Sequence, residues 1–201
     1  MNKSRLEAFS DGVLAIIITI MVLELKVPEG TSWAVVKPLL PVFSSYLLSF
    51  AFIGIYWGNH HHLLHTVKRV NAKIIWANMH LLFWLSLIPF ATGWMGVNNY
   101  EKHTVALYGV LLVICGIAFT ILGRVIAASY KEETNLTRAL AKSNPKIFLS
   151  TTLYIIAVPI ALFISPVISA ALYVIVAIMW FIPSKAIEKA ISEEDHNGGV
   201  D

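Results

Sequence analysis

The chain has 201 residues, of which 57% are hydrophobic and only 13% charged, with a mean hydropathy of +0.72. So few charges on a chain of this length exclude a soluble globular domain and define an integral membrane protein. One cysteine, Cys115 within an apolar run, excludes an intrachain disulfide and reads as a small buried hydrophobe; the net charge of +3 is informative only through its distribution.

A membrane span needs roughly 20 apolar residues to cross about 30 Å of hydrocarbon. The first such stretch, residues 6–25, opens on Arg5-Leu6-Glu7-Ala8-Phe9-Ser10-Asp11 and continues into Ile16-Ile17-Ile18-Thr19-Ile20-Met21-Val22-Leu23. A carboxylate in the first turns of a span is costly, from about 2.5 kcal/mol at the bilayer centre, so Asp11 requires a partner or wet surroundings. Glu7 and Asp11 also interrupt the charge-free core of a signal peptide, and no small-residue cleavage site precedes Pro28. The segment is therefore expected to remain as the first span. Further stretches follow at 40–64, which ends in Asn59, His60, His61, His62 and His65, and at 74–97, which carries Asn78 and His80. The last three are 104–128, 147–164 and 167–182, the final pair forming a tight hairpin around Ser165-Pro166. Pro38, Pro41, Pro145, Pro166 and Pro183 mark ends, while Pro89 and Pro159 fall inside spans. The expected fold is all-α, with six transmembrane helices in one unit over 1–183 and a short tail over 184–201.

The basic residues set the orientation. Lys3, Arg5, Lys68, Arg69, Lys73, Arg124, Lys131, Arg138, Lys142, Lys146, Lys185 and Lys189 fall on one side, and Lys26, Lys37 and Lys102 on the other, accounting for all 15. Both termini are expected in the cytoplasm. With that topology the start of span 1, the end of span 2 and the start of span 3 share one depth. Arg5, Ser10 and Asp11, the histidines of span 2, and Asn71, Asn78 and His80 of span 3 then satisfy one another in a network. Two sharper readings compete. His61 and His65 stand four apart, a spacing that suits a metal, but three consecutive histidines point around the helix and no carboxylate lies beside them. Proton sensing by these histidines is compatible with the network. The tryptophans Trp57, Trp76, Trp84, Trp94 and Trp180 read as interface or packing aromatics.

At about 100° per residue, Gly12, Ile16, Thr19 and Leu23 form a narrow stripe on span 1, with Ile20 at its edge and Asp11 about a quarter-turn away. Periodicity alone does not distinguish a pore lining from a helix-packing seam.

The run Arg5-x-x-x-Phe9-Ser10-Asp11-Gly-Val-x-Ala15-Ile16, followed by Thr19 and Leu23-Glu24-Leu25, resembles the signature of the transmembrane protein 175 family of potassium channels. Span count, orientation and the His-rich end of span 2 extend the resemblance over the chain, and Gly12 departs from a slightly larger small residue common there. With one six-span repeat the chain is similar to the prokaryotic branch, which implies a homotetramer in a prokaryotic plasma membrane. The resemblance further implies K⁺ as permeant ion, no cofactor, and a central pore walled by four copies of span 1. The carbonyl filter Thr-Val-Gly-Tyr-Gly is absent, and the resemblance implies that apolar rings make the constriction, narrowest at Ile16, with Thr19, Ile20 and Leu23 also facing the pore. Arg5, Phe9, Ser10 and Asp11, with His60, His61, His62, His65, Asn78 and His80, then brace span 1 rather than bind ions. Such a ring gates by dewetting and favours K⁺ over Na⁺ modestly, because K⁺ loses hydration water more cheaply. Glu24 either concentrates cations at the outer mouth or is a solvated helix-end charge.

The alternatives are a proton- or cation-coupled secondary transporter using Asp11 and the His cluster, a membrane metalloenzyme built on the histidines, and a purely structural membrane protein. A transporter of this kind normally shows an inverted repeat and helices broken near mid-membrane, and spans 1–3 and 4–6 share no motif. Carboxylates at metal-ligand spacing are missing, as are nucleotide- and nucleic-acid-binding motifs. The expected partners are further copies of the chain and membrane lipids.

Overall fold

In a computed structural model, residues 2–130 and 145–181 are described, and they contain seven α-helices and no strand. They are α1 (Lys3–Val22), α2 (Leu40–His65), α3 (Ala72–Leu85), α4 (Ile88–Val97), α5 (Lys102–Ala127), α6 (Pro145–Phe163) and α7 (Pro166–Phe181). Two short 3-10 turns, Trp33–Val35 and Lys37–Leu39, lead into α2. The tail expected over 184–201 lies outside the described residues, as do Lys131, Arg138, Lys142, Pro183, Lys185 and Lys189.

Four segments are long and apolar enough to cross a membrane: Trp33–His65, Ala72–Val97, Lys102–Ala127 and Lys146–Phe163. Helix α7, with 16 residues, is shorter. Helix α1 has 20 residues but carries Lys3, Arg5, Glu7 and Asp11 in its first half. The third expected span is two helices rather than one. Pro89 has no N–H to offer the carbonyl four residues back, so α3 ends at Leu85 and α4 restarts with Pro89 in its first turn. Pro159, by contrast, is accommodated inside α6.

Asparagine caps set two of the starts: Asn2 Oδ1 accepts from Arg5 N at 3.0 Å, and Asn71 Oδ1 from Ile74 N at 3.0 Å. Helix α5 packs on α3, α4 and α6, with α7 closing against α6 and α2 along its far side. Close approach is bought by small residues. A Cβ on Gly96 would stand 2.7 Å from Val42 Cα, and one on Gly109 would clash with the Tyr173 ring, so α4 meets α2 and α7 meets α5 at glycines. The core is aliphatic and aromatic, with Ile53, Ile74, Leu81, Leu85, Tyr108, Leu112 and Tyr173 fully enclosed. Three of its buried hydroxyls form a cluster: Ser49 Oγ and Tyr108 Oη share a 2.8 Å hydrogen bond, and Thr92 Oγ1 lies 2.6 Å from Ser49 Oγ. That cluster ties α2, α4 and α5 where no water can reach. In the turn before α5, burial pushes the Tyr100 phenol above its ordinary pKa, opposed by its 2.7 Å hydrogen bond with Ser44.

Candidate functional site

Helix α1 lies on one side of the bundle against α2, α3 and α4. Leu6, Ser10, Leu14, Ile17 and Met21, spaced four and three apart, are its buried residues, and all face those helices. The opposite face is open. Ile16 is 57% exposed, Ile20 45% and Leu23 76%, and Gly12 and Thr19 are exposed between them. The stripe named from periodicity is therefore the face of α1 that the described residues leave uncovered. The Thr19 hydroxyl donates within its own helix, to Ala15 O at 3.0 Å and Ile16 O at 2.9 Å.

Three helices meet around Ser10. Asn78 Nδ2 of α3 donates to Ser10 Oγ at 2.9 Å, and Ser10 Oγ donates to Leu6 O at 2.9 Å. Asn78 Oδ1 is 2.6 Å from His60 Nε2 of α2. Since the amide oxygen only accepts, the His60 tautomer is assigned with its proton on Nε2. Ser10, His60 and Asn78 are all buried, at 0%, 1% and 0% exposure. An amide whose two ends are both engaged between two helices sets the azimuth of α1 more tightly than apolar contact does, because rotation unpairs buried polar groups.

Asp11 has a different partner. Trp57 Nε1 of α2 donates to Asp11 Oδ1 at 3.0 Å, so the carboxylate that the sequence demanded be compensated is met by an indole. Trp57 and His60, three residues apart, lie on the same face of α2, which is the geometric signal that singles Trp57 out from the other tryptophans. Lys3 Nζ adds a 2.5 Å hydrogen bond to His65 O and a 4.0 Å ion pair with Glu7.

The remaining members of the expected bracing set stand apart from this junction. His61, His62 and His65 are exposed, their rings spaced 5.9 to 6.5 Å along the end of α2, with Trp57 6.2 Å from His61. His80 is exposed and accepts from Trp84 Nε1 at 2.9 Å. Phe9, at 48% exposure, borders the open face of α1. Arg5 is also on that face, in line with Leu23, and its guanidinium has no partner among the described residues. Glu24 folds back over Gly93 of α4 and so leaves the open stripe. Among the described residues no three His, Cys, Asp or Glu side chains gather in a metal-ligating group.

An all-helical, multi-pass membrane bundle with one charged-ended helix pinned by a buried polar junction defines the class. The model of the family described as "Endosomal/lysosomal potassium channel TMEM175" matches residues 5–89, the segment holding Ser10, Asp11, Trp57, His60 and Asn78. A protein of Chryseobacterium sp. (strain P1-3) named a potassium channel is 53% identical over 193 residues, 96% of this chain and 100% of that one. A potassium channel of Streptomyces collinus is 35% identical over 59% of this chain and 62% of its own. The human protein named endosomal/lysosomal proton channel TMEM175 is 35% identical over 41% of this chain and 19% of its own. The crystal structure of a TMEM175 homolog from Chamaesiphon minutus, titled a lysosomal potassium-selective channel, superposes with a TM-score of 0.74 at 27% identity, covering 89% of this chain and 95% of that one. The chain belongs to the TMEM175 family, whose members are named ion channels and not enzymes.

Proposed function

We propose that this protein is a potassium channel in which four copies of α1 surround the conduction path. The observation that carries the reading is the division of α1 into a pinned face and an open one. Leu6, Ser10, Leu14, Ile17 and Met21 hold the helix to its own subunit, while Gly12, Ile16, Thr19 and Leu23 are left for something outside it. An outward-facing apolar stripe on one helix needs several chains to enclose a path, and the potassium-channel names of the Chryseobacterium and Streptomyces relatives supply the permeant ion.

In this reading Ile16 makes the narrowest ring, flanked by Thr19, Ile20 and Leu23. The ring gates by dewetting and passes K⁺ over Na⁺ modestly through the difference in dehydration cost. No cofactor takes part. Ser10, Asn78 and His60, together with Asp11 on Trp57, hold the ring at constant azimuth, and Arg5 at the charged end reaches toward a neighbouring copy. Six spans over 1–183 with both termini in the cytoplasm fit the crowding of Lys3, Arg5, Lys68, Arg69, Lys73, Arg124 and Lys146 at one end of the helices, against Lys26, Lys37 and Lys102 at the other. The plasma membrane of a prokaryote is the corresponding location.

The test is reconstitution into K⁺-loaded liposomes, with dye-reported flux under external Na⁺ or K⁺. Flux favouring K⁺ that rises and loses discrimination in Ile16→Asn supports both the channel and its ring. Unchanged permeability ratios in that variant remove Ile16 as the filter, and no flux of either ion from verified tetramers removes the channel. Because animal relatives are named proton channels, an internal pH dye in the same vesicles measures whether protons share the path.

A further inference from the structure

Away from α1, helices α2, α5, α6 and α7 line a cleft that is open on one side, with about 470 Å³ of empty space that extends into its open mouth. Its walls are largely apolar and aromatic, including Phe52, Phe119 and Trp180, and none of its lining residues is charged. Two tyrosine hydroxyls on its walls lack partners. Tyr154 lines the cleft at 5% exposure, yet its hydroxyl has no hydrogen-bond partner among the described residues, and the same holds for the partly buried Tyr56. Two other buried tyrosines are satisfied: Tyr108 by Ser49 at 2.8 Å, and Tyr173, which donates to Val105 O at 3.1 Å. Asn59, also on the wall, donates to Ile55 O at 2.8 Å and keeps its amide oxygen unengaged. A buried polar group without a partner costs the full desolvation of that group, so a native structure that keeps one calls for an explanation.

We propose that the cleft is a binding site for a small neutral amphiphile, a substituted phenol in size and character. Its ring lies among Phe52, Phe119 and Trp180, and its hydroxyl satisfies Tyr154 or Asn59. Small-molecule sites are mostly apolar with a few placed polar groups, as this lining is. The absence of charge in the lining selects a neutral ligand over an anionic headgroup. A lipid acyl tail has no atom to offer the Tyr154 hydroxyl. The position also matters to α1. Tyr56 and Asn59 of α2 line the cleft, and their neighbours Trp57 and His60 hold Asp11 and Asn78.

The experiment uses the purified full chain and 4-bromophenol, whose bromine quenches nearby tryptophan fluorescence. Of the six tryptophans only Trp180 lines the cleft. The expected result is a saturable quenching component that disappears in Trp180→Phe, weakens about fivefold in Tyr154→Phe, the worth of one hydrogen bond, and is lost in Gly116→Leu. Gly116 lies on the wall, with its nearest neighbour Thr151 Oγ1 3.6 Å from an added Cβ, so a first carbon fits and a larger side chain fills the space. Quenching that only follows partitioning, or a saturable component equal in Tyr154→Phe and Gly116→Leu, overturns the proposal. Saturation seen in detergent that vanishes in bilayer lipid assigns the cleft to an acyl chain and overturns it equally. None of these readouts depends on ion flux.

Discussion

Two hydroxyls on α1, nine residues apart, have opposite fates. Ser10 is enclosed and receives the Asn78 amide of α3, while Thr19 is exposed and bonds only the carbonyls of its own helix. Both are ordinary polar residues in a membrane helix, and neither is costly where it stands. The difference lies in what is across from them. One face of α1 meets α2, α3 and α4 and is built for fixed geometry. The other meets nothing among the described residues and takes no part in the buried contacts of α1. A helix divided this way can be altered on one face while the other keeps it in place.

Substitutions that cross this division give effects of graded size. The largest expected effect on stability is Asn78→Leu, which leaves the His60 Nε2–H without an acceptor and Ser10 with only its bond to Leu6 O. It should cost about 2–3 kcal/mol, the upper part of the penalty for an unpaired buried group, read as a lower thermal midpoint of the purified protein. Ser10→Ala leaves only the Asn78 amide short of an acceptor and should cost about 1–2 kcal/mol in the same assay. Trp57→Phe keeps the packing but removes the indole donor from Asp11. Because that carboxylate is half-buried, the loss should be about 1 kcal/mol. At the other extreme, Thr19→Val should move the midpoint by no more than about 0.5 kcal/mol, since the hydroxyl's partners lie in its own backbone. In the proposed channel the order reverses for flux, with Thr19→Val changing the K⁺ to Na⁺ ratio and Ser10→Ala leaving it unaltered. Thermal midpoints and permeability ratios that rise and fall together across these four variants would erase the distinction between the two faces.

The chain order of the helices was readable from hydrophobic length alone, and each expected span has a helical counterpart among the described residues. The stripe Gly12, Ile16, Thr19 and Leu23 was readable too, because 100° per residue puts those positions together on any helix. The break between α3 and α4 was not placed. Pro89 was noted inside a span, but a proline is either absorbed, as Pro159 is in α6, or ends the helix, according to what the neighbouring helices supply. Within the polar layer, the charge-derived topology grouped the residues by depth and not by direction. Four of its histidines accordingly stand apart from the Ser10 junction, and Trp57 was classed with packing aromatics although it holds Asp11.

The sequence by itself determined that this is a helical membrane protein with a costly carboxylate near the start of its first apolar stretch, since hydropathy and charge are properties of the chain before it folds. Its motif was sufficient to mark the family. Only the tertiary structure decided which partner answers that carboxylate, which of five clustered histidines is buried, and which face of α1 is left open. Those are questions of which side of one helix meets which side of another. The packing of α2, α3 and α4 answers them through groups such as Asn78, which has to engage both its donor and its acceptor in a place without water.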